Sequence, residues 1–183
     1  MLKDRFLAGA AAGILIFAAG CAQPPPTSVA PRPGPSAHKP APAPAEESAV
    51  IYVPAVSGGE MMLARKTVDL PEGAGKRAAI QALLDTESEG RRIYPAGTRV
   101  VSFASSSAGE ATLTLSKEIR DYSGGSAEEV AAVNALVLTT GEAYPGTKKV
   151  RIVAEDGELE SLGGHLDLTL PVEPDRRSVI KGS

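Results

Sequence analysis

Residues 126–154 hold a helix pattern that runs into a strand pattern across a short turn, and a chain carrying this unit has few ways to bury it. Val130, Val133 and Val137 fall at helical spacing among alanines and leucines. Ser126 precedes the run and Glu129 stands three residues later, so the pair predicts a capping box that satisfies two amides at the helix start. Tyr144-Pro145-Gly146-Thr147 ends the helix, because proline cannot continue it and glycine tolerates turn geometry. Val150-Arg151-Ile152-Val153 then favours a strand through its β-branched residues. Docking the helix on a sheet buries the apolar face of each. No residue in the stretch carries obvious chemistry.

The N-terminus reads as an address. Lys3 and Arg5 precede an apolar run over residues 6–19, short for a spanning helix, and Ala18-Ala19-Gly20 leads into Cys21. Small residues before the sole cysteine resemble a bacterial lipobox, in which the cysteine is acylated and the preceding peptide removed. Residues 1–20 are therefore expected to be a lipoprotein signal peptide, with Cys21 the lipidation site. An ordinary signal peptide and an uncleaved anchor are the alternatives. Acylation buries hydrocarbon at ~0.8 kcal/mol per CH₂, and stable anchoring takes more than one chain. With Cys21 lipidated, no thiol remains for a disulfide, and the head must fold through its core alone.

The segment 21–48 joins the lipidated cysteine to the rest. Pro24, Pro25, Pro26, Pro31, Pro33, Pro35, Pro40, Pro42 and Pro44 alternate largely with alanine, serine and other small residues, so the segment has little to bury and cannot form a regular helix. At polyproline rise its reach is on the order of 70 Å. Such a tether holds a folded head away from a membrane. A proline-rich recognition ligand is the alternative, and no arginine-flanked PxxP pattern stands out for it.

The folded domain is expected over 49–174, with 175–183 a flexible tail lacking a packing pattern. Val50-Ile51-Tyr52-Val53 predicts a first strand and residues 61–70 a second extended segment. Ala79, Ile80, Leu83 and Leu84 give one face of a helix near 76–84. Residues 98–103 and 111–115 predict a hairpin in which Val101 and Phe103 match Leu113 and Leu115 on the inward face. Leu166, Leu168 and Leu170 alternate before Pro171, as in a late strand or loop. Helices interspersed with such strands predict an α+β fold, a small two-layer sandwich with a mainly antiparallel sheet and two packed helices.

Charge narrows the function classes. Residues 49–174 carry 18 acidic against 12 basic side chains, a net charge of −6, whereas backbone recognition of nucleic acid rewards a concentrated basic face. Arg91-Arg92 and Lys148-Lys149 with Arg151 read as solvated edges more readily than as an anion site. Residues 72–77, Glu-Gly-Ala-Gly-Lys-Arg, read as a helix-start turn, since the glycine spacing is not that of a P-loop and no Ser or Thr follows Lys76. Ser105-Ser106-Ser107 sits in a hairpin loop without a nucleophile-elbow pattern. His165 lies two residues from Asp167, one face of a strand if regular. A lone histidine with scattered carboxylates makes no zinc site or acid/base device by itself. No catalytic, metal-binding or cofactor-binding residue is assigned, and no cofactor is expected.

Five segments in order, at 50–53, 78–84, 100–116, 131–138 and 150–157, resemble a GerMN domain, the sporulation and spore germination domain of bacterial lipoproteins and exported proteins. Within it, Ala111-Thr112-Leu113-Thr114-Leu115-Ser116 is similar to the strand before the second helix, and Val150-Arg151-Ile152-Val153-Ala154-Glu155-Asp156-Gly157 to the strand closing on an Asp-Gly turn. The resemblance implies an extracytoplasmic α+β module of the cell envelope, with no catalytic triad or metal cluster to carry over. Many relatives have tandem copies, and this chain has room for one. The expected function is a non-enzymatic interaction or assembly module on the bacterial membrane, anchored through its N-terminal lipid. Its partner would be another envelope protein or a second copy. A small-ligand or wall-glycan binding module is the alternative. A small hydrolase using His165 and a neighbouring carboxylate is a third reading.

Overall fold

The structure, a computed structural model, describes residues 47–182. The expected signal peptide, Cys21 and the tether up to residue 46 lie outside the described residues.

The fold is α+β, with antiparallel sheets and two helices, consistent with a small two-layer sandwich. Strands β1 (Glu47–Ser57) and β2 (Glu60–Leu70) form a long antiparallel hairpin in unbroken register. Gly58 and Gly59, at φ +62° and +85°, supply the left-handed pair that a two-residue hairpin turn requires. Helix α1 (Arg77–Asp85) follows, then a miniature hairpin of β3 (Glu87–Ser88) and β4 (Arg91–Arg92). Strands β5 (Val100–Ser105) and β6 (Glu110–Leu115) pair antiparallel. Helix α2 (Ser126–Ala143) crosses over to β7 (Lys149–Ala154), which pairs parallel with β6. The second sheet therefore contains a βαβ unit, which needs a long crossover of this kind.

Helix α2 is the centre of the molecule. Residues 131–140 are all buried, because the β1–β2 hairpin, α1, β7 and the C-terminal segment each cover part of its circumference. An apolar stripe would suffice for a surface helix, whereas Ala131 to Leu138 is apolar nearly all round. Each fully buried Val or Leu here, such as Val133, Leu136 and Leu138, contributes about 1.5–3 kcal/mol of transfer free energy. Two polar groups in this core are paired: the Thr139 hydroxyl accepts from the Tyr52 amide at 3.0 Å, and the Tyr94 hydroxyl donates to the Ala132 carbonyl at 2.8 Å, whereas the buried Thr140 hydroxyl has no partner among the described residues.

Several local expectations are corrected. The helix cap lies one residue upstream of the expected one. Glu128, not Glu129, reaches back, its Oε2 accepting from the Gly125 amide at 2.9 Å. Gly125 has no side chain to return the bond, so only half of a capping box forms. Val130, expected on the apolar face, is exposed. In β5 the register slips between Val100 and Ser102, a bulge that leaves Val101 exposed and gives the place opposite Leu115 to Val100. Phe103 stays half-buried and stacks on Tyr144 with ring centroids 3.7 Å apart.

The C-terminal region differs most. Residues 158–170 form no strand; Leu168 is buried, but Leu170 stands 67% exposed. The expected flexible tail is docked over 175–182. Asn134 donates to the Asp175 carbonyl at 2.7 Å and to the Ser178 hydroxyl at 2.6 Å, and accepts from the Asp175 amide at 2.9 Å. Beyond it Val179 bridges to Leu63, and the Ile180 amide donates to the Leu63 carbonyl at 2.9 Å. The signal was a buried polar residue inside an apolar helix, whose partners had to come from elsewhere in the chain.

Candidate functional site

Two features meet at the N-terminal end of α2. The first is a buried carboxylate. Glu129 is 0% exposed, and its two oxygens collect the loop 161–166: the Ser161 hydroxyl and Leu162 amide at 3.0 Å, the His165 amide at 2.9 Å, the His165 Nδ1 at 3.0 Å and the Leu166 amide at 3.4 Å. Burial alone would raise its pKa, but the amides of Gly163 and His165, with Ser161 and the His165 ring, outweigh it and hold the carboxyl down to about 2. These amides go to Glu129 instead of a ladder, and Leu166 is the one residue of the late leucine segment among them.

His165 therefore pairs with Glu129 and not with Asp167. The Asp167 carboxylate accepts from the Thr169 amide at 2.9 Å and from its hydroxyl at 2.6 Å. Ser161, the hydroxyl nearest this pair, bonds to Glu129 and to the Gly164 amide. The cluster ties a loop to a helix and holds no nucleophile on the histidine.

The second feature is a cleft of about 390 Å³ beside Glu128. Its walls come from three separated stretches: the end of the β1–β2 hairpin, residues 88–96, and residues 121–124 with Glu128. Arg91 closes one side by donating to Glu128 Oε1 at 2.6 Å, an exposed ion pair of the kind worth about 0–1 kcal/mol and so readily opened. Ser88 fastens the other side, its hydroxyl donating to the Pro54 carbonyl at 2.6 Å. Tyr94 forms part of the floor and is only 1% exposed. Burial, with Tyr122 nearby, pushes the Tyr94 phenol well above 10; burial with Glu128 and Glu129 pushes Tyr122 up to about 12. Both phenols stay neutral across the physiological range. Glu89, at φ +51°, is the one non-glycine residue with positive φ among the described residues, and it stands on the rim.

Arg92 also lines the cleft and pairs with Asp85 at 3.4 Å. The remaining sequence candidates do not converge here: Lys149 pairs with Glu173 at 3.0 Å, and Arg151 donates to the Thr169 carbonyl at 2.6 Å. Lys76 precedes α1 and lies 5.7 Å from the Tyr144 ring centre. The Ser106 hydroxyl accepts from the Glu110 amide within the β5–β6 loop. Among the described residues no three His, Cys, Asp or Glu side chains group to hold a metal ion. Cys21 lies outside the described residues. Sequence reasoning missed Glu89, Asp121 and Tyr122, whose only local signals were a Glu-Gly turn and an aromatic in a polar loop.

The family model described as "Germane: Sporulation and spore germination" matches residues 50–160, more than half of the chain. The chain belongs to the Germane family. Three solved structures share a likeness with this Germane chain. A putative lipoprotein from Clostridium perfringens is 21% identical, with 70% of this chain and 87% of that one covered, at a TM-score of 0.47. The tandem GerMN domains of the sporulation protein GerM from Bacillus subtilis are 23% identical over 71% of this chain and 46% of that one, at 0.48. The first GerMN domain of the same protein is 20% identical over 72% and 98%, at 0.49. This chain thus spans about half the length of the tandem structure. Among curated proteins none matches. The Germane match ends at residue 160, so the Glu129-bound loop and the docked tail lie beyond it.

Proposed function

We propose that this Germane protein is a lipid-anchored interaction or assembly module on the extracytoplasmic side of a bacterial membrane, without enzymatic activity. Residues 1–20 direct export, Cys21 carries the lipid, and the proline-rich tether presents the folded head to an envelope protein or a second copy. The observation that carries the reading is the cleft: three segments far apart in sequence build a recess, yet its phenols are neutral and the one histidine-carboxylate pair among the described residues is engaged in loop anchoring. Family membership and the small residues before Cys21 support it. The volume, within the roughly 300–1,000 Å³ of small-ligand sites, supports a second reading as a small-ligand or glycan module.

Proximity labelling in intact cells, comparing the native protein with Cys21→Ala, tests the first reading. Repeatable envelope-protein neighbours that change when the anchor is lost are expected. Cytosolic neighbours, or none that repeat, would overturn it. Binding of wall fragments without protein neighbours would favour the second.

A further inference from the structure

We propose that the cleft takes an extended segment of a partner protein, bonding to the edge of β1 at Val56, beyond the Pro54 carbonyl that Ser88 already occupies, and placing a basic side chain between Glu89 and Asp121. This deepens the interaction-module reading and rests on it.

Backbone parity is the first support. In an antiparallel pair, successive residues alternate between bonding to the partner strand and facing away. The two-residue turn at Gly58-Gly59 makes Ser57 and Glu60 a mutually bonded pair, so Val56, Pro54 and Tyr52 face away from β2. Two observed bonds agree: the Tyr52 amide goes to Thr139 on α2, and the Pro54 carbonyl accepts from Ser88. Continuing the alternation, the Val56 amide and carbonyl face the same outer edge. There the strand borders the cleft, and the Val56 side chain is 55% exposed. A strand edge with free amide and carbonyl groups is what strand addition uses for affinity, while adjoining pockets read alternate side chains.

Charge selects the partner. Of the five charged residues lining the cleft, Arg91 is paired with Glu128 and Arg92 with Asp85. The side chains of Glu89 and Asp121 make no hydrogen bond or ion pair among the described residues, so the uncompensated charge in the cleft is negative. Met61, Ile93 and Tyr122 are half-buried on its walls and offer apolar contact to the stem of a lysine or arginine and to its neighbours. An alternating apolar and basic strand is the segment that satisfies both the edge and the rim.

The test titrates the full chain in detergent micelles with a short fluorescent peptide of alternating valine and lysine, and with the same peptide carrying glutamate for lysine. The basic peptide is expected to bind at least about tenfold more tightly. The combined Glu89→Lys and Asp121→Lys change is expected to abolish that preference. Val56→Pro, which removes an amide outside the β1–β2 ladder, weakens binding about tenfold, whereas Val56→Ala keeps the amide and the affinity. Circular dichroism and thermal midpoints check that each variant folds. Equal binding of both peptides, or variants that bind like the native chain, overturns the proposal. A dimer that Val56→Pro dissociates, or much tighter peptide binding after deletion of residues 22–46, overturns it in favour of a second copy or the tether as occupant. Proximity labelling of the Val56→Pro chain separates the two levels. Unchanged neighbours reject the cleft alone, and absence of repeatable neighbours in the native chain rejects the interaction module.

Discussion

Replacing Glu129 by glutamine keeps the side chain's shape and exchanges one acceptor oxygen for a donor. With the new NH₂ toward Ser161, Leu162 and Leu166, two amide donors face it, though the Ser161 hydroxyl can turn to accept; with the NH₂ toward His165, the ring Nδ1 can accept in one tautomer but the His165 amide loses its partner. Either orientation therefore leaves at least one loop amide without its acceptor, about 1–3 kcal/mol, and strips the remaining bonds of their charge. An independent route gives a similar size: the drop of the Glu129 pKa from its ordinary 4.5 to about 2 corresponds to about 3 kcal/mol of stabilisation at neutral pH. Because the folded value is the lower one, that stabilisation is present above 4.5 and lost as the pH falls toward 2. Urea unfolding followed by circular dichroism at pH 7, 4 and 3 reads both effects. Glu129→Gln is expected to be less stable by about 3 kcal/mol at pH 7, roughly 10 °C in Tm, with the gap to the native chain closing as the pH falls. Glu118, Glu128, Asp167 and Asp175 are also held low, chiefly by local hydrogen bonds, but they titrate alike in both proteins and cancel in the difference. A variant within about 0.5 kcal/mol of the native chain at pH 7, or a gap that ignores pH, would refute the anchoring role.

Asn134→Ala removes three bonds to the tail and is expected to cost about 2–3 kcal/mol and to speed hydrogen exchange at the Ile180 amide. Unchanged protection at Ile180 would show that the tail docks without Asn134. Gly109→Ala adds a Cβ 2.8 Å from the Gly146 carbonyl at φ +85°, so a loss of at least about 2 kcal/mol is expected in thermal unfolding. A midpoint unchanged within error would mean that the β5–β6 turn yields.

Local chemistry made most of the framework legible. Pro145 and Gly146 marked the end of α2, Val150 to Val153 its following strand, and Leu113 with Leu115 the inward face of β6. Errors of one residue came from competition between neighbours. Glu128 and Glu129 lie about 100° apart on a helix, so only one can reach the cap, and the choice depends on the loop that buries the other. Val101 was exposed by a bulge that alternation cannot register. The alternating leucines at 166–170 do not pair as a strand: the Leu166 amide goes to the Glu129 carboxylate, 37 residues earlier, and the Leu168 amide to the Glu160 carbonyl. The cleft was illegible because its walls meet only through tertiary packing, and none of its residue types is unusual alone.

Enclosure of ten successive helical residues makes the last turns of the chain a fourth wall and not an appendage. A stop codon introduced after position 174 would open the interior to water. Truncation or substitution over residues 175–180 therefore acts on the packing around α2 and not on a loose appendage.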